Sequence, residues 1–142
     1  MRSKELLSEF SKIVSSGKVN GWFGNPEGGP WLRQLEAAFR RYHRAKHAIA
    51  VSSGTAAMHC ALLALGVGPQ DKVVTTAYTH IGGVSPIVMC GGIPLFVDIE
   101  PTGLNMNPDG LKALQKEKPI AIIASHQLGY PCDMDRIVEN SG

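Results

Sequence analysis

The chain has 142 residues, 44% of them hydrophobic and 18% charged, with a formal net charge of +2. That length suffices for one domain with a buried core, and the balance is that of a globular chain, not a disordered one. So small a charge gives no reason to expect a nucleic-acid partner, and three scattered cysteines (Cys60, Cys90, Cys132) without a C-x-x-C pair argue against a disulfide framework or a zinc site and for a reducing compartment.

The first segment, "MRSKELLSEFSKIVSSG", spaces Leu6, Leu7, Phe10, Ile13 and Val14 as an amphipathic helix and stops at Gly17. It lacks the apolar core of a secretory signal, and no apolar run approaches the roughly 20 residues that cross a bilayer, so a cytoplasmic protein without a membrane partner is expected. Residues 17–30, "GKVNGWFGNPEGGP", read as a glycine-rich loop, and Pro30 suits the first turn of a helix carrying Trp31, Leu35, Phe39 and Tyr42 on one face. From there strands and helices alternate: strand 47–53, helix 55–65, strand 72–77, helix 81–91, strand 93–99, helix 107–116, strand 119–125 and helix 133–140. Alternation with nearly continuous apolar strands predicts an α/β fold of three layers, a mostly parallel sheet with helices on both faces.

Open parallel sheets bind ligands beyond the carboxyl ends of their strands. The residues expected at those ends are Ser52, Ser53, Gly54 and Thr55, then Ala77, Tyr78, Thr79 and His80, then Asp98 and Glu100, and last Ser125, His126 and Gln127. The first group opens the stretch "VSSGTAAMHCALLAL". A helix starting there offers unpaired N–H groups and about half a positive charge, a site for an anion such as phosphate. Gly54 allows close approach, Ser53 and Thr55 add hydroxyls, and the uncharged helix behind is expected to be buried. The alternative is that Ser53 or Thr55 simply caps the helix. Neither a Walker A loop nor a G-x-G-x-x-G fingerprint is present.

His80 either stacks on a planar ligand whose phosphate sits on Gly54 and Thr55, or caps the next helix; Gly82 and Gly83 fit close approach by a ligand. His126 either contacts substrate or moves a proton, or is a hydrogen-bonded structural histidine. Asp133 reads as the N-cap of the last helix. His43 and His47 are four apart, but Arg44 stands where an H-E-x-x-H site needs glutamate, so no metal site is expected. The basic run "RRYHRAK" is best read as cations at a helix C-terminus.

Three segments, "HAIAVSSGTAAMHCALLALGVGPQDKVVTTAYTH", "GGIPLFVDIEPTGLNMNP" and "SHQLGYPCDMDRI", in this order and spacing, resemble the N-terminal part of the DegT/DnrJ/EryC1/StrS aminotransferases, fold-type-I enzymes dependent on pyridoxal 5'-phosphate. The resemblance covers about Gly21 to Ile137 and implies the N-terminal portion of that fold's large domain. It implies that Gly54 and Thr55 bind the cofactor phosphate with Ser53 and Ala56 beside them, that His80 lies over the pyridine ring, and that Trp22 and His126 stand near the substrate. The implied reaction moves an amino group from glutamate or glutamine to a keto-sugar, nucleotide-linked or on the way to an aminocyclitol. The alternative within the family is a sugar 3-dehydratase, in which histidine replaces the Schiff-base lysine; an alternative of a different class is a non-catalytic regulatory or scaffold module retaining half of the fold.

The resemblance places that lysine, and the acid that pairs with the pyridine nitrogen, beyond position 142, so no catalytic residue is expected in this chain. The expected organisation is an N-terminal helix and loop over 1–30, an incomplete large domain over 31–142, and no small C-terminal domain. A chain so divided is expected to be inactive alone, to hold the cofactor weakly or not at all, and to self-associate through open sheet edges, most simply as a homodimer.

Overall fold

The computed structural model describes residues 3–19 and 28–142, which fall in two compact units, Met1–Ala50 and Val51–Gly142. The expectations for Gly21, Trp22 and Phe23 lie outside the described residues.

The first unit carries α1 (Ser3–Ser15) and α2 (Pro30–Tyr42). Gly17, at φ +64°, ends α1 in the left-handed turn that glycine adopts without strain. Pro30 opens α2, where its missing N–H costs nothing, and Arg40 and Arg41 fill the last turn, where the helix dipole favours cations.

Residues 47–53 do not form the expected strand. Apolar and β-branched residues make a strand only when a neighbour supplies backbone partners, and none does so here among the described residues. Ile49 stands 82% exposed, and the Ala50 N–H donates instead to the Glu36 carboxylate at 2.9 Å.

The second unit is built on a parallel sheet in the order β2-β1-β3, with β1 (Lys72–Thr76) between β2 (Ile93–Val97) and β3 (Ala121–Ile122). Val73 lies opposite Pro94 and Ala121, and Val74 opposite Leu95 and Ile122. Pro94 is tolerated because β2 has β1 on one side only, so the missing N–H leaves no gap in the ladder. The strand expected over 119–125 is shorter as a regular ladder, but the Ile120 and Ile123 N–H groups still donate to Lys72 and Val74 of β1.

Alternate residues of β1 supply two cores, since successive side chains point to opposite faces. Val73 packs with Leu62 of α3 (Gly54–Ala64), with Ile87 of α4 (Ser85–Met89), and with Cys90 and Ile123. Val74 packs with Leu111 of α5 (Leu111–Leu114), with Ile137 of α6 (Met134–Ser141), and with Val97, Met106 and Cys132. Both valines are fully buried. This is the expected three-layer architecture.

Three details differ from expectation. The helix over 81–91 divides into a 3-10 turn at Ile81–Gly83 and the short α4, and that over 107–116 into 3-10 turns flanking α5. Pro86 and Pro108, each within the first turns of its element, remove hydrogen-bond donors and favour such short pieces. Helix α3 is not buried all round: Leu62 lies in the core, whereas Leu63 and Leu65 are 53% and 68% exposed. A helix lying on a sheet presents one side to it, and nothing within this unit covers the other.

Two expectations follow. Ile87→Ala, at a fully buried site, lowers stability to urea by about 2–5 kcal/mol, measured by far-UV circular dichroism. Burial pushes the Cys132 thiol up from its ordinary value, with the Glu100 carboxylate adding to the effect. The folded chain then keeps this proton after the unfolded chain has lost it, so stability falls as pH rises beyond about 8.5, and Cys132→Ala reduces that alkaline slope.

Candidate functional site

The order β2-β1-β3 sends neighbouring strands to opposite faces. The exit of β1 leads to α4 in one outer layer, and the exit of β3 leads to α6 in the other. Parallel neighbours whose exits diverge leave a crevice beyond their carboxyl ends. A cleft of about 660 Å³ lies there, within the size range of small-molecule sites. Its walls come from the start of α3 (Gly54, Thr55, Ala57, Met58), the loop after β1 (Thr79, His80, Gly82, Gly83) and the segment after β3 (Ser125, Gln127).

The start of α3 has open donors. Ser53 is extended at the N-cap, its Oγ accepts from the Ala56 N–H at 3.1 Å, and its carbonyl accepts from the Ala57 N–H at 3.0 Å. Two of the helix's first four N–H groups are thereby satisfied. Those of Gly54 and Thr55 have no acceptor among the described residues, and both residues line the cleft. Ser53 and Ala56 are bonded to one another and are not part of the lining. Among the described residues, none that lines the cleft carries a carboxylate or an ammonium group, so none of them opposes the partial positive charge of those amides.

His80 does two things. Its Nδ1 accepts from the Gly82 N–H at 3.1 Å, which caps the 3-10 turn, and its ring lines the cleft. Because Nδ1 accepts, the neutral ring carries its proton on Nε2. Gly82 keeps the space between the two walls open: a Cβ there would lie 3.0 Å from Thr55 Oγ1 and 3.2 Å from His80 Nδ1.

The other strand ends divide. Ser125 and Gln127 reach the cleft, while His126 between them does not line it. Its Nδ1 accepts from the Cys132 N–H at 3.0 Å, so the ring also braces the turn toward α6. Asp98 accepts from the Ile99 N–H at 2.8 Å, and neither Asp98 nor Glu100 lines the cleft. Asp133 caps α6 through the Arg136 N–H, as its spacing indicates. None of the four lysines of this unit is among the residues lining the cleft. Lys72 opens β1 and pairs with Glu117 at 2.8 Å, Lys112 lies in α5, and Lys116 and Lys118 precede β3. No group of three metal-ligating side chains occurs among the described residues, and no described helix is long and apolar enough to cross a membrane.

Sequence reading missed the residue that joins these loops. Asn105, 6% exposed, bonds to the segment after β3 through both atoms of its amide. It lies in "GLNMNP", whose composition signals only a turn, and the cross-chain bonds that give it a role leave no periodicity to detect.

The chain matches the DegT/DnrJ/EryC1/StrS aminotransferase family over residues 4–141. It is 43% identical over 109 residues to a pleiotropic regulatory protein of Geobacillus stearothermophilus, covering 77% of this chain and 29% of the relative. It is 40% identical over 111 residues to the GDP-perosamine synthase of Caulobacter vibrioides, covering 78% of this chain and 30% of the relative. Its fold superposes with a TM-score of 0.81 and 29% identity on the ntda protein of Bacillus subtilis, solved with bound cofactor PMP, over 98% of this chain and 31% of the other. The chain thus spans under a third of the length of these relatives. A match along nearly the whole chain places this protein in the DegT/DnrJ/EryC1/StrS aminotransferase family.

Proposed function

We propose that this chain supplies the phosphate-binding wall and one ring-facing wall of a pyridoxal-phosphate-dependent sugar aminotransferase, which transfers an amino group from glutamate or glutamine to a keto-sugar. The observation that carries the reading is the pair of unbonded N–H groups at Gly54 and Thr55, which open onto the same cleft as His80. The residues suit the group. A phosphate dianion takes two amide donors and the Thr55 hydroxyl at a helix start, and the space that a Cβ on Gly82 would fill leads from there to the imidazole.

When bound, the cofactor supplies an electron sink through which an amino group leaves one carbon and joins another. The chain's own part is to bind and orient. Gly54 and Thr55 would hold the phosphate, with Ser53 and Ala56 keeping the first turn of α3 in shape behind them. His80, fixed by its bond to Gly82, would face the cofactor's ring from the neighbouring wall. His126 and Trp22 are proposed toward the substrate side, His126 acting from the rim because its Nδ1 is committed to Cys132. None of the residues lining the cleft is a lysine, so the amine that anchors the cofactor comes from outside this cleft's lining, and the chain by itself is proposed to be inactive. The amino donor and keto-sugar are the proposed partners, and a homodimer is the proposed assembly.

A second reading has its own support, because the relative at 43% identity is named a pleiotropic regulatory protein. In that reading the same cleft senses a phosphorylated ligand and turns nothing over.

An absorbance scan of the protein expressed from its complete reading frame separates these readings. The aminotransferase reading predicts a visible band that borohydride bleaches, leaving the cofactor attached to protein. A dehydratase gives cofactor absorbance with no borohydride-stable attachment, and a sensing module gives no cofactor band. Within the chain, Gly82→Ala brings a methyl against Thr55 and His80 and is expected to weaken pyridoxal phosphate binding about tenfold, measured by fluorescence titration.

A further inference from the structure

The residue that shapes the part of the cleft after β3 lies outside the lining. Asn105 is buried in the loop between β2 and α5, where a bridge between Ile99 and Met106 and a bond from the Glu100 N–H to the Asn105 carbonyl fold the chain back on itself. From there its side chain reaches the segment after β3. Its Oδ1 accepts from the Gln127 N–H at 3.0 Å, and its Nδ2 donates to the carbonyls of Tyr130 and Pro131 at 3.0 and 2.9 Å. Two carbonyls can only accept and an N–H can only donate, so the orientation of this amide is fixed by its partners.

The segment it grips needs holding. Leu128 and Gly129 both have positive φ, +53° and +83°, and Leu128 is 90% exposed, so no packing of that side chain offsets its unfavourable backbone. Gln127, at the start of this bend, lines the cleft. Its Nε2 donates to the Tyr78 carbonyl at 3.0 Å, which also accepts from Thr76 Oγ1 at 3.0 Å, and this ties the exit of β3 to the exit of β1. With Nε2 so engaged, Oε1 is the acceptor that Gln127 has left for a ligand.

We infer that Asn105 is a positioning residue which, by pinning the Gln127 backbone, holds that side chain where it meets the ring-bearing part of a phosphorylated planar ligand. This rests on the function proposed above and adds a residue to it. Asn105 makes no bond to the start of α3, so its role is separate from the phosphate grip.

The test is a pair of titrations of the protein expressed from its complete reading frame, one with pyridoxal 5'-phosphate and one with inorganic phosphate. Asn105→Asp keeps the acceptor for the Gln127 N–H but turns an oxygen toward the two carbonyls. It is expected to weaken pyridoxal phosphate about tenfold and to leave inorganic phosphate within about twofold. Gln127→Ala is expected to give the same split and decides the matter if Asn105→Asp fails to fold. Unchanged affinity for pyridoxal phosphate, or equal losses for both ligands in a folded variant, overturns the inference and leaves the phosphate site standing. A wild-type protein, expressed from its complete reading frame, that binds neither ligand overturns the proposed function, and the inference falls with it.

Discussion

The constraint on which the site depends is the burial of β1 on both faces between two parallel neighbours. Val73 and Val74, adjacent and fully buried, commit the strand to a helical layer on each side. Once β2 lies on one flank and β3 on the other, the chain must leave β1 and β3 toward opposite layers, and the two exits part at the sheet edge. The cleft therefore follows from topology, and the residues around it only furnish it. Helix α3 points its start into the same gap, which is why a short stretch of small residues can present donors to a ligand.

The furnishing relies on backbone groups and neutral side chains. The donors at Gly54 and Thr55 are amides, and the bonds that shape the other wall run through Asn105, Gln127 and Tyr78 to main-chain atoms. Among the described lining residues His80 is the one ionisable group, and its Nδ1 is already committed to the Gly82 N–H. Fixed dipoles aimed at a doubly charged group cost little reorganisation when it arrives.

Much of this was legible in the sequence because it is periodic or local. Alternation of apolar runs with helical spacing indicated the layers, and "SSGTAA" and "AYTH" marked the ends of elements. What escaped depends on partners distant in the chain. "HAIAVSS" has strand composition, yet without a neighbour to pair with it remains outside the sheet. Residues 55–65 have no polar face, yet a single sheet covers only the side carrying Leu62. His126 was open between a substrate contact and a hydrogen-bonded structural histidine, and what the sequence alone left out is the Cys132 N–H six residues on, which bonds its Nδ1. Asn105 gave no signal, since its meaning lies in bonds spanning more than twenty residues.

The central claim is that the open amides of α3 are an anion grip, and backbone amide shifts during an inorganic phosphate titration of the isotopically labelled chain test it most directly. The account predicts that the Gly54 and Thr55 resonances move furthest, saturably, with Gly82 following and the amides of α6 unmoved. Saturable shifts centred elsewhere, or none at Gly54 and Thr55 at millimolar phosphate, would contradict it.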